Sequence, residues 1–211
     1  IVVTDNFAAV VDGSTSKSSF RMDGKTSGLM GMELVCDALR QLPSDSSAQE
    51  AVNFLTGRIR RFYEDHRLYE DAKRHGEHRL TASAVIYSRQ KHEIWMVGDC
   101  LCRFNGKTYG NPKPVDKLLA DIRSDILHYL LRKGHSIASL QEHDLGREWI
   151  FPCLKDQCSF QNAEDIGQWG YAVLDGFPVD ISLVRILPVP VNAEFLVLAS
   201  DGYPVLADTL K

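Results

Sequence analysis

No stretch of the 211 residues approaches the ~20 consecutive apolar side chains of a membrane span, so the sequence offers no transmembrane helix. It also lacks a disulfide framework. The five cysteines (Cys36, Cys100, Cys102, Cys153 and Cys158) are odd in number and irregularly spaced, which fits a reducing cytoplasm. There is no excess of positive charge: 24 Lys and Arg stand against 28 Asp and Glu, and a net charge of −4 excludes a broad nucleic-acid footprint. No internal repeat and no linker rich in Gly, Pro or Ser divides the chain, so one domain is expected over 1–211. No signal peptide is read in these residues. The chain opens at Ile1 in mid-pattern without an initiator Met, and closes at Lys211 just after an apparent helix start, so residues are expected to be missing at both ends. What is present is ordinary: 44% hydrophobic and 25% charged residues describe a globular chain, neither disordered nor fibrous. At this length a domain buries roughly 70% of its unfolded surface and needs no metal or disulfide staple to fold.

Periodicity orders the elements. Ile1 to Val3, the turn Thr4-Asp5-Asn6 and Phe7 to Val11 read as a hairpin. From about Gly28 to Leu42 the period turns helical, with Leu29, Met32, Val35, Cys36 and Leu39 on one face, until Pro43 stops it. A long helix is expected from about Ser47 to Lys73, with Val52, Leu55, Ile59, Phe62 and Tyr63 buried and Arg58, Arg60, Arg61, Glu64 and Asp65 wet. Strands follow at Thr81 to Tyr87, Glu93 to Gly98 and Leu101 to Phe104, and Asn105-Gly106 is a strong hairpin turn. Pro114 opens a helix with Leu118, Leu119, Ile122, Ile126, Tyr129 and Leu130 inward and Gly134 as its C-terminal cap. Residues 135 to about 169 read as irregular, and strands return at Tyr171 to Leu174, Ile181 to Leu187 and Phe195 to Ala199. Short turns between strands mean antiparallel pairing, not a βαβ series. The expected fold is therefore α+β, with helices packed on antiparallel sheets.

Three apolar runs end in a carboxylate. Phe7 to Val11 ends at Asp12-Gly13, Phe195 to Ser200 at Asp201-Gly202, and Ile94 to Val97 at Gly98-Asp99. Runs apolar on both faces are central strands. Carboxylates crowded beyond their ends repel one another, and a divalent cation relieves that repulsion. Hard oxygen ligands select Mg²⁺ or Mn²⁺, and two such ions can activate a water and hold a phosphoryl group for in-line attack. The plainer reading is that Asp-Gly is a turn dipeptide; it occurs four times, at Asp12, Asp23, Asp175 and Asp201. Tyr171 to Leu174 followed by Asp175-Gly176 looks much like the others and also reads as a hairpin turn.

Taken together and in order, Val10-Val11-Asp12-Gly13, Thr81-Ala82-Ser83-Ala84-Val85, Met96-Val97-Gly98-Asp99 and Phe195-Leu196-Val197-Leu198-Ala199-Ser200-Asp201-Gly202 resemble the metal-dependent protein phosphatases of the type 2C class. The helical block 28–73 and the turn Asn105-Gly106-Lys107 fall where that family has its first helix pair and a hairpin. The resemblance implies a two-sheet antiparallel β-sandwich flanked by helices (αββα layers), with a metal site of two or three Mg²⁺ or Mn²⁺ ions at one end. It implies that Asp12 bridges two ions, the Gly13 carbonyl binds one, Asp201 binds one, and Asp99 with Asp201 holds a third more weakly. Metal-activated water would then hydrolyse the phosphoserine or phosphothreonine of a phosphoprotein, with no phosphoenzyme intermediate. Two departures stand out. Ser14-Thr15 replaces the family's His-Gly-Gly, and a hydroxyl is a poor general acid. The family's phosphate-binding Arg, an acidic pair and its last metal Asp fall outside this chain.

Other residues carry plainer readings. His75 and His78 sit in a run flanked by Arg74 and Arg79 at a helix end, Cys100 and Cys102 share a strand face, and Asp5 makes the first turn. Arg58, Arg60 and Arg61 form a basic helix face. Trp149, Phe151 and Trp169 read as core or loop packing, with a substrate-facing flap as the alternative. Haloacid-dehalogenase-like phosphatases and sugar kinases share an Asp-containing first loop, but both need parallel α/β order and spacings absent around Asp12. The rival outside catalysis is a phosphatase-fold module that is weakly active or inactive and serves in binding or regulation. No nucleic acid or membrane partner is expected, and the oligomeric state is not legible.

Overall fold

Ala82–Ser88 (β5) is the middle of the protein. It pairs antiparallel with Phe7–Gly13 (β2) on one side and with Glu93–Val97 (β6) on the other. In the computed structural model, which describes residues 1–163, 166–203 and 205–207, Val2–Val3 (β1) and Arg185–Pro188 (β9) complete a five-stranded antiparallel sheet ordered β1-β2-β5-β6-β9. Val197–Ala199 (β10), Leu101–Phe104 (β7) and Lys107–Gly110 (β8) form a second, three-stranded antiparallel sheet in that order. Arg21–Met22 (β3) and Lys25–Thr26 (β4) make a small separate hairpin.

The two-residue period of β5 and β6 sorts their side chains between two cores. Ala84, Ile86, Trp95 and Val97 face one cluster, which they share with Val35, Leu39, Leu55 and Ile59 of helices Ser27–Leu39 (α1) and Ala48–Asp65 (α2). Val85, Ile94 and Met96 face the other, against Cys100, Cys102 and Phe104 of the second sheet. Each wholly buried aliphatic side chain contributes about 1.5–3 kcal/mol. The fold is thus α+β, with two antiparallel sheets packed face to face and helices over the larger one. Helices Pro114–Arg132 (α4), Ile137–Glu142 (α5) and Leu145–Asp156 (α6) form a second group. Its own cluster joins Val115 and Leu119 of α4 and Ile150 of α6 to Tyr171 and Val173. This group packs chiefly on itself and on 171–173, so the outer face of the three-stranded sheet is not its main partner.

Local chemistry explains where the periodic reading erred. The helix expected over 47–73 is two: α2, and Tyr69–Arg74 (α3). Ser47 and Glu50 form a capping box at the start of α2. Its end is a Schellman turn, with Leu68 N–H donating to the Tyr63 carbonyl and Arg67 N–H to that of Glu64. Arg67 takes the left-handed conformation (φ 57°) that glycine normally marks, so the sequence carried no stop signal there. The same turn ends α4 at Gly134 (φ 96°), where the glycine announced it. Residues 135–169 are not irregular throughout: α5 and α6 lie within them, and Pro152 inside α6 hid the helix. Tyr171–Leu174 is not a ladder strand but is tied by isolated bridges, Ala82 to Leu174 and Gln161 to Tyr171. Residues 181–183 are a 3-10 turn before β9. On α4, Leu118, Ile122 and Tyr129 face solvent, and Val115, Leu119 and Leu130 are the buried residues. The helix start expected before Lys211 falls on 208–211, outside the described residues.

Candidate metal centre

Three strand ends converge on one rim. Asp12, penultimate in β2, lies across from Ser83 of β5. Asp99 sits in the turn joining β6 to β7. Antiparallel pairing of β10 with β7, Ala199 opposite Leu101, carries Asp201 back to the same end. All three line one cavity of about 450 Å³, with Gly13, Ser14 and Thr15 from the end of β2 and Lys113 and Asp116 from the start of α4. The structure thus brings Asp12, Asp99 and Asp201 to one cavity wall.

Their electrostatics differ. The carboxyls of Asp201 and Asp12 come close enough to interact, a contact that two carboxylates tolerate best with a proton or a cation between them. Partial desolvation, the Asp99 charge and that contact push the Asp201 carboxyl up to about 6. Asp99 is satisfied within the protein. Burial raises its carboxyl, but the Lys113 ammonium at 2.6 Å from Oδ2 and the Ser83 hydroxyl donating to Oδ1 at 2.7 Å hold it below the usual range. The Lys113 and Asp99 side chains are only 11% and 14% exposed, and Lys113 also reaches Asp116 at 3.8 Å and the Tyr171 ring. Beneath them, burial and then the charges of Asp99, Asp12 and Asp201 push the Cys100 thiol far up, so it stays protonated. Among the described residues, no three His, Cys, Asp or Glu side chains are grouped to hold one ion. Asp12 and Asp201 form a pair, and the cation beside Asp99 is the Lys113 ammonium.

Glycines fix this geometry. A Cβ on Gly13 would come within 2.2 Å of the Gly28 carbonyl oxygen, so the end of β2 reaches α1 only without a side chain. Gly98 has φ 87°, and a Cβ there would lie 2.2 Å from the Ser83 hydroxyl that holds Asp99. Gly98→Ala is therefore expected to lower stability by about 2–4 kcal/mol, from strain plus displaced Ser83. Chemical denaturation measures it, and a loss under 1 kcal/mol, about the scale of an ordinary substitution, would contradict this role for Gly98.

The remaining candidates sort plainly. Asp175 lies away from the rim, fully buried, accepting from Arg79 at 3.0 Å, Asn162 at 2.9 Å and the Phe177 N–H at 3.1 Å. It is a structural ion pair, and its Asp-Gly is a turn with Gly176 at φ 88°. His78 bonds Asp71 at the end of α3. Cys100 and Cys102 are buried thiols of the second core, and all five cysteines are unpaired. Trp149 is 58% exposed, so it is not core. The segment around it does reach the cavity, through Arg147 and Leu154 of α6 and through Gln157. Sequence reasoning missed Lys17, Lys113, Arg147 and Gln157. None belongs to a motif, and only the tertiary fold brings them to the aspartates. No helix is long and apolar enough to cross a membrane among the described residues. No family model, curated protein or solved structure matches this chain.

Proposed function

We propose that the chain is a metal-dependent phosphatase hydrolysing phosphoserine and phosphothreonine of cytoplasmic phosphoproteins, similar in its motifs to the type 2C class. The observation that carries the proposal is the Asp12–Asp201 acid pair at the mouth of a polar cavity, two carboxyls that need a cation or a shared proton to coexist. The donor set fits Mg²⁺ or Mn²⁺: carboxylate oxygens, with the Gly13 backbone beside them and no soft ligand. Asp12, Gly13 and Asp201 would hold the ions, and Asp99 would join on release from Lys113. Bound there, such ions supply an activated water nucleophile and charge neutralisation for a phosphoryl group. The chain's own part is to fix the two carboxyls on adjoining strand ends, to keep Asp99 ionised, and to offer a cavity with room for a phosphate ester. Ser14 and Thr15 line that cavity as weak acids, which favours substrates with good leaving groups.

The expected result is Mn²⁺- or Mg²⁺-dependent hydrolysis of p-nitrophenyl phosphate and of phosphothreonine peptides, abolished by chelation. Chelator-insensitive turnover would overturn the mechanism. One observation favours the second reading, a catalytically weak or inactive binding or regulatory module: Lys113 already neutralises Asp99 without a metal. That reading predicts no turnover with either ion.

A further inference from the structure

Four acidic side chains line the cavity, and three cations face them, but only one of the three is paired. Lys113 is committed to Asp99 and Asp116. Lys17, half-buried in the loop after β2, makes no hydrogen bond or ion pair with any described residue, and neither does the Arg147 guanidinium on α6. Beside them Gln157 is 7% exposed, and its carboxamide Oε1 is buried without a partner. A half-buried ammonium without a partner is costly unless something enters to satisfy it, and the exposed Arg147 guanidinium stands free to join it. The acid pair binds cations, so the complementary occupant of this wall is an anion. Arg and Lys hydrogen bonds to phosphate oxygens are the strong, charge-assisted kind.

We propose that Lys17 and Arg147 form the subsite that receives the phosphoryl oxygens of a phosphate monoester in this cavity, with the Gln157 Oε1 beside them able to accept from a protonated phosphate oxygen. The subsite rests on the phosphatase reading above for its substrate, but not for its affinity for phosphate. It is assembled from the loop after β2 and from the α6 region. Lys17 feels the opposing charges of Lys113 and Arg147 and the favourable ones of Asp116 and Cys158; burial first, and then Lys113, lower its ammonium to about 8. Its charge, and its share of anion binding, therefore fade as pH rises through that value.

Titration calorimetry with inorganic phosphate on the full chain, with and without Mn²⁺, tests this beside electron paramagnetic resonance counts of bound Mn²⁺. Lys17→Met and Arg147→Met are each expected to weaken phosphate binding by about tenfold or more, and the pair by about a hundredfold. Mn²⁺ affinity in these variants should stay within about twofold, the scale on which neighbouring charges alone act. Lys17→Arg should retain phosphate affinity. The wild type, but not Lys17→Met, should also lose phosphate affinity between about pH 7 and pH 9. Unchanged phosphate binding in both single variants, or no phosphate binding by the wild type, would overturn the subsite. If the wild type neither binds Mn²⁺ nor hydrolyses esters, the phosphatase reading fails. A Lys17- and Arg147-dependent phosphate isotherm would then still stand.

Discussion

Asp12→Asn abolishes metal-dependent turnover and raises the melting temperature of the metal-free protein: that is the expected pair of results. Asn keeps the shape and the strand pairing opposite Ser83 but removes one of two neighbouring acidic groups. On the proposed chemistry a bound ion would lose a charged ligand, and activity would disappear with it. Without metal, the same change ends a like-charge contact, so the fold becomes more stable. The pH dependence has a definite sign. Asp201 titrates near 6 in the fold and about 3.9 in an unfolded chain, so between those values the folded state holds more protons. Its stabilising contribution is full below about pH 4 and is lost as pH rises through about 6. The advantage of Asp12→Asn over wild type should therefore widen from about pH 4.5 to pH 7 in chelator. Scanning calorimetry measures it. Equal melting temperatures across that range, with activity intact, would make Asp12 an ordinary turn residue.

Lys113→Met has the largest expected effect on stability. Met fills the volume of the lysine stem but leaves Asp99 ionised, largely buried and facing Asp201 with one hydrogen bond, from Ser83. Breaking a buried pair on one side costs about 3–5 kcal/mol, which at this chain length lowers the melting temperature by about 10 °C. Two further outcomes identify the cause. Adding Asp99→Asn to Lys113→Met should recover most of the loss, because the uncompensated charge goes with it. Mn²⁺ should also stabilise Lys113→Met more than wild type, since a cation now has the place beside Asp99 to itself. If the double variant is no better than the single, Lys113 contributes packing and not charge.

The sites of success and failure in the sequence follow from how far each signal reaches. Asn105-Gly106, Pro114 and Gly134 punctuate the chain through their own backbone preferences, and all three act as expected: both turn residues have positive φ, Pro114 starts α4 and Gly134 ends it. The runs ending at Asp12, Asp99 and Asp201 were legible because a continuous apolar run leaves few places for a carboxylate except its end, although Val197–Ala199 is an edge strand with Val197 and Leu198 half-buried and not the central strand its sequence suggests. Arg67 was illegible because a Schellman turn needs left-handed backbone, not glycine as such. α6 was illegible because Pro152 tells against a helix that packing against α4 nonetheless secures. There Gly146 sits so close that a Cβ would lie 2.8 Å from Leu127. The neutralising partner of Asp99 could not be read at all. Lys113 is ordinary in sequence, and only the placement of α4 across the strand ends turns it into an internal counter-ion.

A Mn²⁺ titration followed by electron paramagnetic resonance tests the acid pair most directly. The wild type at about pH 7.5, where Asp201 is ionised, should bind the ion, and both Asp12→Asn and Asp201→Asn should weaken that binding by about tenfold or more. Superimposable isotherms for the three proteins would mean that no cation is caged between these carboxyls, and the proposed chemistry would fall with it.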